Sequence, residues 1–303
     1  MDRRSFIKGT GSSLVVLGTT VRPAAAHSAT VSPNVRLTWF GGATMQITFN
    51  GMTLLTDPCF GDGEEAFTMG DPNEMFDLAK GPNIKAHRRV TSFPRGKLKP
   101  TDLVVLSHAH EDHFDQTAAA ELNPDMPFLL PPNDQKKIAG MGFKNLDVVD
   151  WSEKRTFQAG DGKIELTALP AAHSESPEIA RILGKGNGYW ITFSQGDWQK
   201  SLYWTGDTFG IEPVIKSVTS FGSPDLMIAH VGGVGTTGPL GKISMEAKDL
   251  QPFANAVKPQ HLLAIHHSTY ELYLEPTAKL MEINGDGELP LDVIASGSTL
   301  LLE

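Results

Sequence analysis

The stretch Ser107-His108-Ala109-His110-Glu111-Asp112-His113 contains three of the ten histidines of this 303-residue chain, together with two carboxylates. It follows the apolar run at residues 102–106, which predicts a buried strand, and precedes residues 115–122, whose composition favours a helix. The stretch is therefore expected on the turn that leads from the end of a strand into a helix. Binding sites collect at such edges in layered α/β folds.

The spacing of these side chains suits metal binding. His108 and His110 are two residues apart on extended backbone, so both imidazoles can point to the same side. Asp112 and His113 follow on the turning chain and can face a second point nearby. Imidazole nitrogen and carboxylate oxygen bind zinc at about 2.0–2.2 Å, and two metals about 3.5–4 Å apart can divide the work of hydrolysis. A solvated polar loop would account for one or two histidines, but not for this cluster.

Acidic or histidine side chains also follow other apolar runs that read as strands. A single aspartate or histidine at the end of a strand is more often a structural residue. Six strands of this chain, including the one before His108, are followed by such a residue, and one shared site is the simplest explanation. The five further residues, in chain order, are Asp57, His173, Asp207, His230 and His266.

The first 26 residues do not resemble part of a folded domain. They contain the pair Arg3-Arg4, a mildly apolar segment at residues 13–21 and the small residues Ala24-Ala25-Ala26, in the order of a twin-arginine export signal. The apolar segment is shorter than the roughly 20 residues that a membrane span needs. We expect export to the periplasm or the extracellular space, with a disordered basic N-terminus as the alternative.

Charge and cysteine content limit the partners of the chain. Residues 1–26 carry four basic residues and one acidic residue, so their removal changes the formal net charge from −9 to −12. This balance argues against nucleic acid or an anionic membrane as the main partner and favours a small-molecule substrate. The single cysteine, Cys59, excludes an intrachain disulfide. The sequence leaves the oligomeric state open.

Residues 60–100 are rich in glycine, proline and charged residues and show no strong periodicity. A segment of this length without regular structure is unusual in a compact domain and often serves as a lid or a substrate wall. We therefore predict a lid or substrate loop at residues 60–100, inside one domain that spans residues 27–303.

These motifs resemble the metallo-β-lactamase fold superfamily over the whole of residues 27–303. Five motifs carry the resemblance in order: Asp57 in Thr-Asp-Pro, the histidine cluster from His108 to His113, His173, Asp207 in Thr-Gly-Asp-Thr, and His266. The flanking segments 39–44, 55–58 and 265–270 are most similar to a narrower branch. That branch contains lactonases of the ascorbate-lactone type and phospholipases D that act on N-acylphosphatidylethanolamine.

The resemblance implies an α/β fold built as a four-layer αββα sandwich, with two divalent metal ions at one edge. Zn²⁺ is the first choice of metal, with Mn²⁺ and Fe²⁺ as alternatives. A hydroxide between the metals would attack an ester, a lactone or a phosphodiester. The implied ligands are His108, His110 and His173 for the first metal, Asp112, His113 and His266 for the second, and Asp207 between them.

The resemblance also suggests roles around the metals. Asp112 would steer the nucleophile and pass a proton to the leaving group, and Asp57 would support the metal ligands from behind. His230 has no firm counterpart and is expected either to reach the substrate or to be structural. Of the neighbours His266 and His267, the following Ser268-Thr269-Tyr270 favours His266 as the ligand.

Departures from better-known members narrow the function. Zinc lactamases of the B1 class have cysteine where Asp207 stands, so hydrolysis of β-lactam antibiotics is not expected. Di-iron oxygen reductases of the superfamily have glutamate at the position of His110. Two alternatives to a hydrolase remain: a mononuclear iron redox enzyme similar to sulfur dioxygenases, and a non-enzymatic metal-binding protein. The complete set of implied ligands argues against both.

Overall fold

The structure of the protein is a computed structural model that describes residues 33–285 and 289–303. The predicted export signal at residues 1–26 lies outside the described residues and stays a prediction. Across the described ranges, no helix combines the length and the apolar character that crossing a bilayer requires.

Two seven-stranded sheets and one small hairpin contain all the strands of the described residues. The first sheet consists of β1 (Val35–Gly41), β2 (Thr44–Phe49), β3 (Met52–Thr56), β6 (Leu103–Val105), β7 (Phe128–Leu130), β8 (Leu146–Val148) and β16 (Thr299–Leu302). The hairpin consists of β4 (Phe67–Gly70) and β5 (Ile84–His87). The second sheet consists of β9 (Lys154–Ala159), β10 (Gly162–Ala171), β11 (Gly186–Gln195), β12 (Trp198–Trp204), β13 (Leu226–His230), β14 (His261–Ile265) and β15 (Leu291–Val293).

Both large sheets are mixed. The order of the first is β16-β1-β2-β3-β6-β7-β8, antiparallel up to β3 and parallel from β3 onward. The order of the second is β15-β14-β13-β12-β11-β10-β9, parallel up to β12 and antiparallel beyond it. The carboxyl ends of neighbouring parallel strands meet at the same edge of a sheet, which is where the predicted site residues follow their strands.

The described residues form six helices, five of which pack on the outer faces of the sheets. They are α1 (Gln116–Glu121), α2 (Gln135–Gly140), α3 (Pro177–Leu183), α4 (Glu212–Thr219), α5 (Ala247–Val257) and α6 (Ala278–Ile283). Three short 3₁₀ turns span Gly63–Glu65, Arg95–Lys97 and Pro132–Asp134. The helix α1 begins where the sequence predicts, because the side chain of Asp115 accepts a hydrogen bond from the backbone of Ala118 and caps its first turn.

Three apolar clusters define four layers. The largest cluster lies between the sheets and joins residues such as Trp39 and Ile47 of the first sheet to Ile191 and Trp204 of the second. A second cluster packs α4, α5 and α6 on the outer face of the second sheet, and a third packs α1 and α2 on the outer face of the first. This arrangement confirms the predicted αββα sandwich, since each sheet buries both of its faces.

The turn at Asn50-Gly51 shows how the sequence determines local structure. Both residues have positive φ, 46° for Asn50 and 87° for Gly51, as a two-residue hairpin loop of the I′ type requires. Phe49 therefore pairs directly with Met52, and β2 and β3 continue in that register. The hairpin predicted from Asn-Gly is confirmed.

Several elements carry little signal in the sequence. The strands β9, β15 and β16 and the helix α3 are not predicted by apolar patterning, and residues 60–100 contain the hairpin β4–β5 instead of unbroken loop. Strand β16 forms because Leu300 pairs with Leu37 of β1, far away in the chain. Such pairing stabilises a short strand that local sequence does not specify.

Candidate metal centre

Three histidines converge on one point at the edge of the sandwich. His108 and His110 follow strand β6 of the first sheet, and His173 follows β10 of the second. One ring nitrogen of each lies within 4.8 Å of the corresponding atoms of the other two. His108 and His173 are buried and His110 is half-buried. Two residues on extended backbone and one from the opposite sheet can therefore share a cation.

A second triplet adjoins the first. Asp112, His113 and His266 place one ligand atom each within 4.8 Å of one another. His266 follows strand β14 and has φ +63°, a left-handed conformation that non-glycine residues rarely adopt. Backbone strain of this kind concentrates at functional sites, where the surrounding structure enforces it.

Asp207 lies between the two triplets. Its Oδ1 is 3.3 Å from His113 Nε2 and 3.8 Å from His266 Nε2, and its Oδ2 is 4.0 Å from His173 Nδ1. It also forms a potential metal-binding group with His108 and His113. The structure thus brings together all seven residues that the sequence predicts as metal ligands.

Hydrogen bonds at the Nδ1 atoms of His113 and His266 orient the two rings so that their Nε2 atoms point into the cluster. His266 Nδ1 is 2.7 Å from the carbonyl oxygen of Val231, and His113 Nδ1 is 3.1 Å from Asp57 Oδ2, so both Nδ1 atoms carry a hydrogen. The two Nε2 atoms therefore both point into the cluster, 3.1 Å apart. In metal-free protein a proton on one of them can be shared with the other, and both lone pairs become free for a metal once that proton is lost.

Other polar atoms of the cluster point in the same direction without a partner. His108 Nε2, His173 Nε2 and Asp207 Oδ1 are buried and have no hydrogen-bond partner among the described residues. Buried polar atoms normally are satisfied, and leaving one without a partner costs about 1–3 kcal/mol. Metal coordination would satisfy all three, so the donor set fits divalent cations that accept nitrogen and oxygen ligands.

The protonation states agree with this fit. Burial lowers the pKa of His173 to about 4 and that of His108 well below its usual value, so both imidazoles are neutral near pH 7. Burial raises the pKa of Asp112, but its hydrogen bond to His266 outweighs this and holds the pKa at about 2. Burial lowers the pKa of His113, yet the carboxylates of Asp207 and Asp57 raise it well above its usual value. The carboxylates thus attract positive charge, which in metal-free protein is a proton on His113 that a bound cation would displace.

Asp57 supports the cluster from inside the fold. Its carboxylate is fully buried and accepts hydrogen bonds from the backbone N–H and the hydroxyl of Ser107, both at 2.7 Å, and from His113 Nδ1. Ser107 Oγ is also 3.0 Å from His108 Nδ1. Ser107 thus links Asp57 to a histidine of each triplet, a role that the sequence alone did not indicate.

Asp134, in the 3₁₀ turn before α2, and Lys137, in α2, hydrogen-bond to residues 109–111. Asp134 Oδ2 accepts a hydrogen bond from Ala109 N at 3.1 Å, and Lys137 Nζ donates to Glu111 Oε1 at 2.8 Å and to the carbonyl of Ala109. Sequence patterning did not single out either residue, because their role depends on how α2 packs against the stretch.

His230 lies beneath the cluster and not on its open side. It is fully buried, its Nε2 is 4.0 Å from Asp57 Oδ2, and its ring packs edge-on against Trp204 with ring centroids 4.7 Å apart. It does not line the cavity above the cluster, which favours the structural interpretation over contact with substrate. His267 turns away, with Nε2 3.1 Å from the carbonyl of Ala264.

A cavity of about 220 Å³ opens above the cluster. Its floor includes His110, Asp112, His173 and Asp207. Its walls are Met69, Gly70, Pro72, Phe76, Leu78, Gly81, Pro82, Ile182, Leu183, Val234, Leu240 and Ile243, with Glu111 beside the floor. Seven of the wall residues belong to the segment 60–100, which is the placement expected of a substrate wall.

Adding Zn²⁺ to metal-free protein is expected to raise its melting temperature by about 5–10 °C. At a free metal concentration 100 times the Kd, binding stabilises the native state by about 2.7 kcal/mol, and 1 kcal/mol corresponds to about 2–4 °C for a domain of this size. Differential scanning fluorimetry measures the shift. His266→Ala should abolish most of it, whereas His261→Ala, at the exposed opposite end of β14, should retain it. Equal shifts in both variants would contradict the site.

Comparison with known proteins agrees with this geometry. The sequence matches the β-lactamase superfamily domain over residues 53–267. It is 25% identical over 260 residues to N-acyl-phosphatidylethanolamine-hydrolyzing phospholipase D 1 of Caenorhabditis elegans, covering 81% of this chain and 68% of that protein. A metal-dependent hydrolase of Methanopyrus kandleri is 24% identical over 263 residues, covering 86% and 94%. The crystal structure of an isothiocyanate hydrolase from Delia radicum gut bacteria matches with a TM-score of 0.70 and 24% identity, covering 88% of this chain and 98% of that one.

The domain match covers more than half of the chain, and the solved structure confirms the fold over most of its length. The similarity to the phospholipase D also supports the narrower branch predicted from the segments that flank the motifs. The chain therefore belongs to the β-lactamase superfamily of metal-dependent hydrolases.

Proposed function

We propose that the protein is a binuclear metal-dependent hydrolase that cleaves an ester, a lactone or a phosphodiester. The observation that carries this proposal is the pair of adjoining donor triplets with Asp207 between them. One triplet alone would serve a single metal, as in the redox alternative. Two triplets within reach of a shared carboxylate suit two metals that act on one substrate.

The residues divide into two sets around the proposed metals. His108, His110 and His173 would hold one ion, Asp112, His113 and His266 the other, and Asp207 would contact both. Nitrogen and oxygen donors of this kind favour Zn²⁺, with Mn²⁺ and Fe²⁺ as alternatives. When bound, such ions polarise the reacting carbonyl or phosphoryl oxygen and lower the pKa of a water molecule toward 7.

Asp112 is the proposed proton carrier. Its carboxylate reaches the floor of the cavity, and its pKa of about 2 keeps it ionised at neutral pH. Being ionised, it can accept a hydrogen bond from a water molecule and orient that molecule for attack. The proposed transfer of the water's proton to the leaving group rests on the position of Asp112 at the floor and not on its low pKa. Asp57 and Ser107 would keep His108 and His113 in the required tautomer and orientation.

Metal content and activity test the proposal together. Purified protein, loaded with Zn²⁺ or Mn²⁺, is expected to contain two ions per chain by elemental analysis and to hydrolyse members of an ester, lactone and phosphodiester panel. One iron per chain in protein purified without added metal would instead favour the redox alternative. Two bound metals without turnover of any substrate in the panel would contradict the proposed hydrolase.

A further inference from the structure

The walls of the cavity are apolar and carry no cationic side chain. Of the described residues that line it, none is lysine or arginine. The wall residues come from residues 69–82, from the end of α3 at Ile182 and Leu183, and from residues 234–243. All ionisable groups of the lining lie at or beside the floor. The cavity is therefore chemically divided into a polar floor and apolar walls.

Lys137, which contacts Glu111 beside the floor, is already engaged. Lys137 Nζ is held by Glu111 Oε1 at 2.8 Å and by the carbonyl of Ala109. Lys137 itself does not line the cavity. A negative charge placed along the walls would thus lose its hydration without gaining a partner, which is costly in an apolar environment.

The volume limits the size of the group that fits. About 220 Å³ is below the roughly 300–1,000 Å³ of pockets that enclose drug-sized ligands. Leu78 is 53% exposed and Ile182 is 59% exposed although both line the cavity. These two apolar side chains therefore mark its mouth, where a longer substrate would leave.

We propose that this cavity selects substrates with a compact, uncharged apolar group and discriminates against those that carry a negative charge on that group. The inference rests on the proposed hydrolase function and specifies its substrate class. The bond to be cleaved lies at the polar floor, and the apolar group occupies the space between the floor and the mouth that Leu78 and Ile182 mark. Selectivity then arises from the cost of placing a charge against the walls.

Matched substrate pairs test the proposal. One pair is p-nitrophenyl pentanoate and mono-p-nitrophenyl glutarate, which differ in a terminal methyl or carboxylate. Equivalent pairs of a γ-lactone and of a phosphodiester carry the same difference at the end of an alkyl chain. In each bond class that turns over, kcat/KM for the neutral member is expected to exceed that for the anionic member by about 30-fold or more.

Variants at the mouth then locate the selectivity. Ile182→Lys adds a cation at an exposed position, so the protein should still fold. The ratio of kcat/KM for the neutral substrate to kcat/KM for the anionic substrate should fall about three- to fivefold. Met281→Lys, at a 58% exposed position of α6 away from the cavity, is the matched control and should leave the ratio unchanged.

The outcomes separate the two levels of the proposal. A ratio below about threefold in a bond class that is hydrolysed overturns the inferred selectivity and leaves the hydrolase function intact. A high ratio that responds equally to Ile182→Lys and Met281→Lys also overturns it, because the selectivity then lies outside the cavity. No turnover of any pair, with two metals bound, overturns the proposed function itself.

Discussion

Asp207→Asn is expected to lower kcat/KM by about 1,000-fold, because polarisation of the substrate by bound metals is worth several kcal/mol and 1.36 kcal/mol corresponds to tenfold. The carboxylate lies between the two triplets, within 3.3 Å of His113 Nε2 and 3.8 Å of His266 Nε2. The amide has the same volume but no charge, and one of its two terminal atoms is a poor metal ligand. Steady-state kinetics on the best substrate and metal analysis measure the effect.

A matched control lies at the opposite end of strand β12. Asp197 precedes β12 at an exposed turn, whereas Asp207 follows the other end of that strand. Asp197→Asn should leave both metal content and kcat/KM within about twofold of the parent, as expected for a surface substitution away from special features. Unchanged activity in Asp207→Asn would remove this residue from the proposed bridging position.

The second large effect is expected at Asp57, which touches no substrate. Asp57→Asn should weaken metal binding by about 10- to 100-fold, because outer partners of metal-ligating histidines set their tautomer and orientation. Asp57→Ala should in addition lower the free energy of unfolding of metal-free protein by about 3 kcal/mol, since it leaves Ser107 N and His113 Nδ1 buried without an acceptor. Chelator competition and urea unfolding measure the two quantities separately.

The comparison of the two Asp57 variants distinguishes positioning from simple support of the fold. The asparagine retains an acceptor for Ser107 N but not for His113 Nδ1, so its free energy of unfolding should fall by less than that of Asp57→Ala while its metal affinity falls. Asp292→Ala, at an exposed position of β15, is the control and should change neither quantity. Parent-like metal affinity in Asp57→Asn, together with a destabilised Asp57→Ala, would assign Asp57 a structural role only.

Local sequence predicts the parts of the site in which chemistry and periodicity coincide. The turn after β6 is predicted because an apolar run ends directly in His-x-His-x-Asp-His. Helix α5 and the hairpin at Asn50-Gly51 are predicted for similar reasons, since each has a strong local signal. Helix α3, whose Ile182 lies at the cavity mouth, was not predicted: it has only seven residues and no fully buried side chain, although Ser176 caps it and Pro177 occupies its first position.

Local sequence cannot predict contacts between distant residues. Ser107 is an ordinary polar residue until folding places it against Asp57, 50 positions away. The burial of His230 beneath the cluster depends on the packing of Trp204 and on strand β13 lying between β12 and β14. The apolar walls of the cavity likewise come from three separate segments that only the fold brings together.

The sequence by itself indicated the fold class, the seven candidate ligands and the broad activity, because its motifs near strand ends resemble those of the metallo-β-lactamase fold superfamily. Only the tertiary structure decided which nitrogen of each histidine faces the centre, that His113 and His266 meet at 3.1 Å across 153 positions of chain, and that His230 does not reach the cavity. Those features depend on hydrogen bonds and packing between distant elements, whose geometry exists only once both sheets are assembled.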